Sequence, residues 1–270
     1  MKQSNLCAIN KDMLNKFHYI SARNKIGAII RTTDSANRFE IIRSAIDNLL
    51  RIDEISLIFI MIYQPGENSE LRKKLIGNYG MEKKRIEFIN VSSGNFYSDL
   101  LNFAVKEQTR RGIDYSLSVS PEAFEYISAE NFTKILDSIK NGALAVGLKI
   151  NEYLELMEQG YFSNAFAIYR NAAINFADIW DIQSALKNEN ADAINFGMEE
   201  LYAIKRLLEV YGSGSVEILT PLNGKMTYAN DAESSEWKDR VLTSKMERLQ
   251  KMQSMLNIDP EELKKMIIWN

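Results

Sequence analysis

Any acid–base chemistry in this chain depends on carboxylates, lysines or tyrosines. The sequence contains one cysteine, Cys7, and one histidine, His18, which excludes an intramolecular disulfide and a Cys/His zinc site. A carboxylate can accept the proton of an attacking hydroxyl group, and hard anionic oxygens can hold a divalent cation. Acidic side chains next to predicted strand ends are therefore the main candidates for catalysis.

Four apolar, β-rich segments each run into a short polar cluster. The segments cover residues 26–31, 55–63, 86–91 and 115–120, and the clusters follow at 31–34, 63–66, 92–95 and 120–122. In a parallel α/β sheet, ligands bind beyond the carboxyl ends of the strands. We predict that polar residues from these clusters, together with an acidic pair further along the chain, converge on one cleft: Arg31, Thr32, Asp34, Gln64, Ser120, Glu122 and Glu199 or Glu200.

The segments between the predicted strands have helical periodicity. In residues 39–50, apolar side chains recur on one helical face, which is typical of a helix laid on a sheet. The run at 55–63 is apolar on both alternating faces, so it is predicted to be a strand near the centre of the sheet. This alternation predicts βαβ units and a mainly parallel α/β sheet.

Composition narrows the class of protein. The 270 residues are 46% hydrophobic and 26% charged, which is typical of a globular chain with a sizeable core. The net charge of −3 argues against nucleic acid as a partner. The longest apolar run, at 57–63, is far too short to span a membrane, and the amino terminus lacks a continuous apolar signal region. We therefore expect a cytoplasmic protein.

The last 34 residues differ from the rest. They follow a polar stretch at 222–236 and carry an apolar stripe that must be buried. Docking on a second subunit, which would give a homo-oligomer, is the preferred prediction; packing on the same domain is the alternative. The stripe consists of Met246, Met252, Met255, Met266 and residues 267–269.

Residues 23–225 resemble the family 2 glycosyltransferases of the GT-A fold. The resemblance rests on IGAIIRTTDSANRFEIIRSAIDNLL, on SSGNFYSDLLNFAVKEQTRRGIDYSLSVSPE, and on YFSNAFAIYRNAAINFADIWD followed by NFGMEELYAIKRLLEVYG. It implies a nucleotide-diphospho-sugar transferase fold, in which helices flank a mainly parallel mixed sheet. Residues 1–22 then form an N-terminal extension, and residues 226–270 form a linker and a C-terminal helical tail.

The resemblance also implies a nucleotide-sugar site. In the second strand, Tyr63 and Gln64 replace the paired acidic residues that the family usually has there. The alternative is that these loops only cap helices and carry solvated arginines. The residues implied to bind the nucleotide sugar are Arg31, Thr32, Thr33, Asp34, Arg38, Gln64, Gly94 and Ser120.

The family's metal-binding Asp-x-Asp motif aligns with Ser120-Pro121-Glu122. In the family, this motif holds Mn²⁺ or Mg²⁺ against the diphosphate. Here Glu122 is the only carboxylate, and one carboxylate is expected to bind such an ion weakly. Alternatively, Glu122 only stabilises a helix start, and Arg31, Arg38 or a lysine neutralises the diphosphate.

Glu199 and Glu200 align with the family's acidic motif on the acceptor side. The resemblance implies that one of them deprotonates the acceptor hydroxyl and so gives inversion, although acidic residues in a first helical turn are also commonplace. The leading hypothesis is transfer of a sugar from a nucleotide diphosphate donor to a hydroxyl acceptor, such as a glycan or a lipid-linked sugar. The alternatives are a catalytically inactive GT-A-like binding or assembly module and an unrelated doubly wound domain.

Overall fold

A computed structural model describes residues 25–63, 65–80, 85–91, 98–177, 199–222, 224 and 235–270. The predicted extension at 1–22 lies outside these residues, and so do Gln64, Gly94 and most of the predicted linker. The predicted domain boundaries remain predictions.

The described residues form one eight-stranded mixed sheet in the order β3-β2-β1-β4-β6-β5-β7-β8. Neighbouring strands are parallel except for β6, which runs antiparallel to both β4 and β5. The prediction of a mainly parallel mixed sheet is confirmed. The strands are β1 Ile26–Thr33, β2 Ile55–Tyr63, β3 Ile86–Val91, β4 Tyr115–Val119, β5 Ala145–Leu148, β6 Phe166–Arg170, β7 Val216–Leu219 and β8 Ile268–Trp269.

Helices connect the strands and flank the sheet. Short 3₁₀ segments follow three of the strands at Ala36–Arg38, Pro121–Tyr126 and Asn151–Tyr153. Within the described ranges, no helix is long and apolar enough to cross a membrane. The helices are α1 Phe39–Leu50, α2 Glu70–Tyr79, α3 Ser98–Arg110, α4 Ala129–Lys140, α5 Leu154–Glu158, α6 Asn171–Ala177, α7 Glu199–Tyr211, α8 Ser235–Met255 and α9 Pro260–Met266.

Strand β2 is buried and interior, but it is not central. It lies between β1 and β3, one strand from the edge, and its side chains from Leu57 to Ile62 are all buried. Its apolar character on both faces fits a strand that is covered by helices on both sides. The prediction of a place near the centre needs correction, because five further strands extend the sheet on the far side of β1.

A buried glutamine from α3 holds β1 and β4 together. Gln108 is fully buried and donates from Nε2 to the carbonyl oxygen of Ala28, at 3.2 Å. Its Oε1 accepts a hydrogen bond from Ser116 Oγ, at 2.7 Å. The side chain fits only because residue 27 is glycine: a Cβ there would lie 2.5 Å from Cδ of Gln108. This contact fixes the two strands whose ends form the candidate site.

The C-terminal segment packs on its own chain. Leu249, Met252, Leu263 and Ile267 are all buried, and β8 pairs in parallel with β7 at the edge of the sheet. Gln253 Nε2 also donates to the carbonyl oxygen of Gln159, at 2.7 Å. The prediction that this segment docks on another surface instead of completing the domain is therefore wrong. Most of the apolar stripe is buried or half-buried against the same chain, whereas Ile268 is exposed. The homo-oligomer stays a prediction.

Replacing Ile267 with Ala is expected to lower the free energy of unfolding by about 2–5 kcal/mol, because the side chain is 4% exposed and its removal leaves a cavity. The neighbouring Ile268 is 42% exposed and is the matched control. Ile268→Ala should change stability by less than about 0.5 kcal/mol. Urea unfolding of both variants measures the difference, and equal losses would contradict the placement of β8.

Candidate functional site

The side of the sheet to which successive strands are added changes between β1 and β4, which are parallel neighbours. From β1 the chain builds β2 and β3 on one side, then returns to place β4 on the other side. The carboxyl ends of β1 and β4 therefore flank the switch point in strand order, where open α/β sheets place their ligands. Thr32 and Thr33 end β1, and Ser120 directly follows β4.

Arg38 bridges the ends of these two strands. Its Nε donates to Thr32 Oγ1 at 3.0 Å, and its Nη2 forms a hydrogen-bonded ion pair with Oε1 of Glu122, 84 residues further along the chain. The side chains of Arg38 and Glu122 are 20% and 14% exposed, so the pair is largely shielded from bulk water. The 3₁₀ segments after β1 and β4 are thereby fixed against each other.

Both carboxylate oxygens of Glu122 are engaged by the protein. While Oε1 pairs with Arg38, Oε2 accepts a hydrogen bond from Ser120 Oγ. The backbone N–H of Ser120 donates to the carbonyl oxygen of Ala165, at 2.7 Å. No group of three or more acidic, His or Cys side chains suited to a metal ion occurs in the described part of the chain. The oxygen atoms around Glu122 do not fit a resident divalent cation, because such an ion needs several oxygen ligands.

Asp34 ties the loop after β1 to the loop after β2. Its Oδ2 accepts from the backbone N–H of Gly66 at 2.9 Å, and its Oδ1 accepts from Ser69 Oγ at 2.5 Å. Ser69 in turn caps α2 by accepting from the N–H of Arg72 at 3.1 Å. The carboxylate that the resemblance assigns to the nucleotide thus holds these two loops together in this structure.

Glu200, in the first turn of α7, lies at the same end of the sheet, beside the start of β6. It is 5% exposed, and its Oε1 accepts from Tyr161 Oη at 3.5 Å and from the N–H of Asn164 at 3.4 Å. The carbonyl oxygen of Asn164 accepts from Ser118 Oγ in β4, at 2.9 Å. A buried carboxylate is thereby connected to the strand that leads to Ser120.

Tyr161 and Asn164 are not among the site residues that the sequence predicts. Both lie in the segment that enters β6, and both are 2% exposed. A polar pair, Ser163 and Asn164, directly before an apolar strand was the available signal. The two residues come next to Glu200 because β6 runs antiparallel and so begins where β4 ends.

Helix α8 packs near Tyr161, on the side of β6 away from β4. Lys245 Nζ lies 4.0 Å from the ring centroid of Tyr153, and the rings of Tyr153 and Tyr161 meet edge to face at 6.1 Å. A cavity of about 750 Å³ opens between α8 and the segment after β5, within the size range of small-molecule sites. Its described lining residues are Asn151, Glu152, Leu154, Glu155, Leu156, Asp239, Leu242, Thr243, Met246 and Glu247.

Tyr126 connects the segment after β4 to the segment after β5. Its hydroxyl oxygen accepts from the N–H of Asn151, at 3.4 Å. Burial, as the main cause, raises the pKa of Tyr126 to about 12, so the hydroxyl stays protonated at neutral pH. The segment after β4 is therefore fixed to the segment that lines the cavity.

Comparison with known proteins gives a clear result only at the level of structure. No protein-family model matches the sequence, and no curated protein matches it. A mannosyltransferase from Pyrobaculum calidifontis, in complex with GDP-Man and Mn²⁺, superposes with a TM-score of 0.57 at 10% identity, over 93% of this chain and 74% of that chain. This chain has a GT-A-like fold.

Two further solved structures resemble the GT-A-like domain. The glucosyl-3-phosphoglycerate synthase of M. tuberculosis gives a TM-score of 0.53 at 9% identity, over 91% of this chain and 85% of that chain. S. aureus TarS 1-349 in complex with UDP gives 0.51 at 15% identity, over 88% and 76%. At these identities the likeness concerns the fold alone.

Most of the predicted site residues that the structure describes lie at one end of the sheet, where β1 and β4 end and β6 begins. Thr32, Arg38, Ser120 and Glu122 are joined by direct hydrogen bonds, and Glu200 lies on the other side of β4. Arg31 is half-buried and Thr33 exposed at the end of β1. Gln64 and Gly94 lie outside the described residues, and of Glu199 the structure defines only its place at the start of α7.

Proposed function

We propose that this chain is a glycosyltransferase that moves a sugar from a nucleotide diphosphate donor to a hydroxyl acceptor. The observation that carries the proposal is a buried carboxylate, Glu200, at the same sheet edge as the Arg38–Glu122 pair in a GT-A-like fold. The resemblance of the sequence to the family 2 glycosyltransferases supports it independently.

In the proposed reaction, Glu200 accepts the proton of the acceptor hydroxyl as that oxygen attacks the anomeric carbon of the donor sugar. The bond from this carbon to the diphosphate oxygen breaks, and the diphosphate leaves with the electron pair. Attack opposite the leaving group gives inversion. The hydrogen bonds from Tyr161 and from the backbone of Asn164 orient Glu200 Oε1.

The donor binds, in this proposal, at the switch point between β1 and β4, with Thr32, Arg38 and Ser120 at its phosphate side. The acceptor approaches from the α8 side, where the cavity adjoins the segment that contacts Glu200. Its described lining combines four carboxylates with leucine and methionine side chains, which suits a neutral sugar acceptor such as a glycan. The proposed reaction uses no divalent metal ion, because the side chains around Glu122 do not fit one.

A second function, a binding or assembly module without catalysis, is favoured by one feature. The carboxylates of Glu122 and Asp34 are occupied by the protein's own donors, as in a site that has lost its metal chemistry. Such a module would still bind nucleotide sugars or a partner at the same edge.

A panel of UDP- and GDP-sugars tests both functions. Binding is measured by thermal shift with and without Mn²⁺, and turnover is measured as release of free UDP or GDP when candidate acceptors are added. We expect binding of at least one donor and acceptor-dependent release of its nucleotide. Binding without release from any acceptor would favour the module, whereas a panel without any binding would overturn the proposed donor site.

A further inference from the structure

We propose that Arg38 replaces the divalent cation of this site, so that the chain binds a nucleoside diphosphate without a metal. The inference rests on the proposed function, since it concerns how the diphosphate of the donor is held. It follows from two observations. The chain has a GT-A-like fold, and the side chains around Glu122 do not fit a metal ion.

The position of the guanidinium is the first argument. Arg38 bonds to Thr32 at the end of β1 and to Glu122 in the segment after β4. It therefore lies across the switch point in strand order, where ligands of open α/β sheets bind. A cation placed there faces the phosphate side of the proposed donor.

The free hydrogen-bonding capacity of Arg38 is the second argument. A guanidinium has five N–H donors in a planar fork, which matches two phosphate oxygens at once. Contacts within the described residues use one N–H toward Thr32 and one toward Glu122. Three donors remain, and one-fifth of the side chain is open to solvent. Arg38 can thus keep both protein contacts while it binds a phosphate.

Glu122 has a different role in this arrangement from that of a metal ligand. Its carboxylate holds the guanidinium in place and offsets part of its charge, because the two groups form a largely buried ion pair. Removing the negative charge while keeping the shape should therefore strengthen attraction for a diphosphate. If Glu122 held a metal ion, the same change would weaken binding.

The test uses the full chain, with UDP and GDP as probes, and measures Kd by calorimetry in EDTA and in excess Mn²⁺. Electron paramagnetic resonance of Mn²⁺ measures metal binding separately. The variants are Arg38→Gln, Arg38→Lys and Glu122→Gln. Arg43→Gln is the matched control, since Arg43 pairs with Glu40 on the exposed surface of α1.

We expect the same Kd in EDTA and in Mn²⁺. Arg38→Gln should weaken binding by about 10- to 100-fold, because two charge-assisted hydrogen bonds are lost. Arg38→Lys should recover part of this loss, since it keeps the charge but not the fork. Glu122→Gln should leave binding unchanged or tighten it by up to about 10-fold, and Arg43→Gln should have no effect.

Two results would overturn the inference alone. Binding that requires Mn²⁺ and is lost in Glu122→Gln would restore Glu122 as a metal ligand while leaving the proposed glycosyltransferase function intact. Metal-independent binding that is unaffected by Arg38→Gln would show that another group holds the diphosphate. If neither UDP nor GDP binds under either condition and no UDP- or GDP-sugar does, the proposed function fails together with the inference.

Discussion

Glu200→Gln is expected to reduce sugar transfer by about 10²- to 10⁴-fold, the contribution of a positioned general base. The amide keeps an oxygen that can accept from Tyr161 and from the backbone of Asn164, so the local fold should persist. It cannot take the proton of the acceptor hydroxyl. The affinity for the nucleotide should stay within about 2-fold, because the donor site lies on the other side of β4.

Glu209→Gln is the matched control for this experiment. Glu209 lies near the other end of α7, where it is exposed and pairs with Lys205 and Arg206. Loss of such a surface pair should have almost no effect on stability or on turnover. Glu199→Gln distinguishes the two acidic candidates: a large loss of turnover in this variant together with normal turnover in Glu200→Gln would assign the base to Glu199.

Gly27→Ala is expected to lower the free energy of unfolding by about 3–5 kcal/mol. The new Cβ would lie 2.5 Å from Cδ and Nε2 of Gln108, which is fully buried. Gln108 would have to move and would lose hydrogen bonds to Ala28 and Ser116. Overpacking costs about 1–3 kcal/mol, and each buried polar group left unsatisfied costs a similar amount.

Gly77→Ala is the control with the opposite expected sign. Gly77 is an exposed residue within α2, and no atom lies within 4 Å of the position that its Cβ would take. Alanine should therefore stabilise the chain by about 0.5–1 kcal/mol, because glycine is the poorer helix former. Urea unfolding compares both variants with the wild type, and a tolerated Gly27→Ala would contradict the packing of Gln108 between β1 and β4.

The behaviour of Arg38 and Glu122 has a wider consequence for the site. The sheet depends on its buried strands and not on the polar loops that follow them, so residues in those loops can change while the fold persists. Arg38 is a fixed cationic group between the segments after β1 and β4, and Glu122 offsets part of its charge. Whether that group serves transfer or binding alone is decided by turnover of the donor panel and by Glu200→Gln.

The class of the fold and most of its elements could be predicted from apolar patterns in the sequence. The strands at β1 to β4 and the helices between them follow from apolar periodicity, because a period of two or of 3.6 residues reports which face of a strand or helix is buried. Ser69 and Asp259 accept backbone N–H bonds at the starts of α2 and α9, where side-chain oxygens of these residue types are favoured. These features depend on neighbours in the chain, so local patterns are sufficient to predict them.

The order of the strands and the contacts between site residues could not be predicted in this way, because they depend on long-range packing. The antiparallel insertion of β6 between β4 and β5 brings Asn164 and Tyr161 to Glu200, and no local pattern encodes that placement. The Arg38–Glu122 pair joins residues 84 positions apart. The same holds for the C-terminal segment: its apolar stripe predicts burial, but only the structure shows that Ile267 is buried and that β8 pairs with β7. The sequence of a segment indicates whether one of its faces is buried. The segment against which that face packs depends on the shape and hydrogen-bonding groups of the whole assembled sheet.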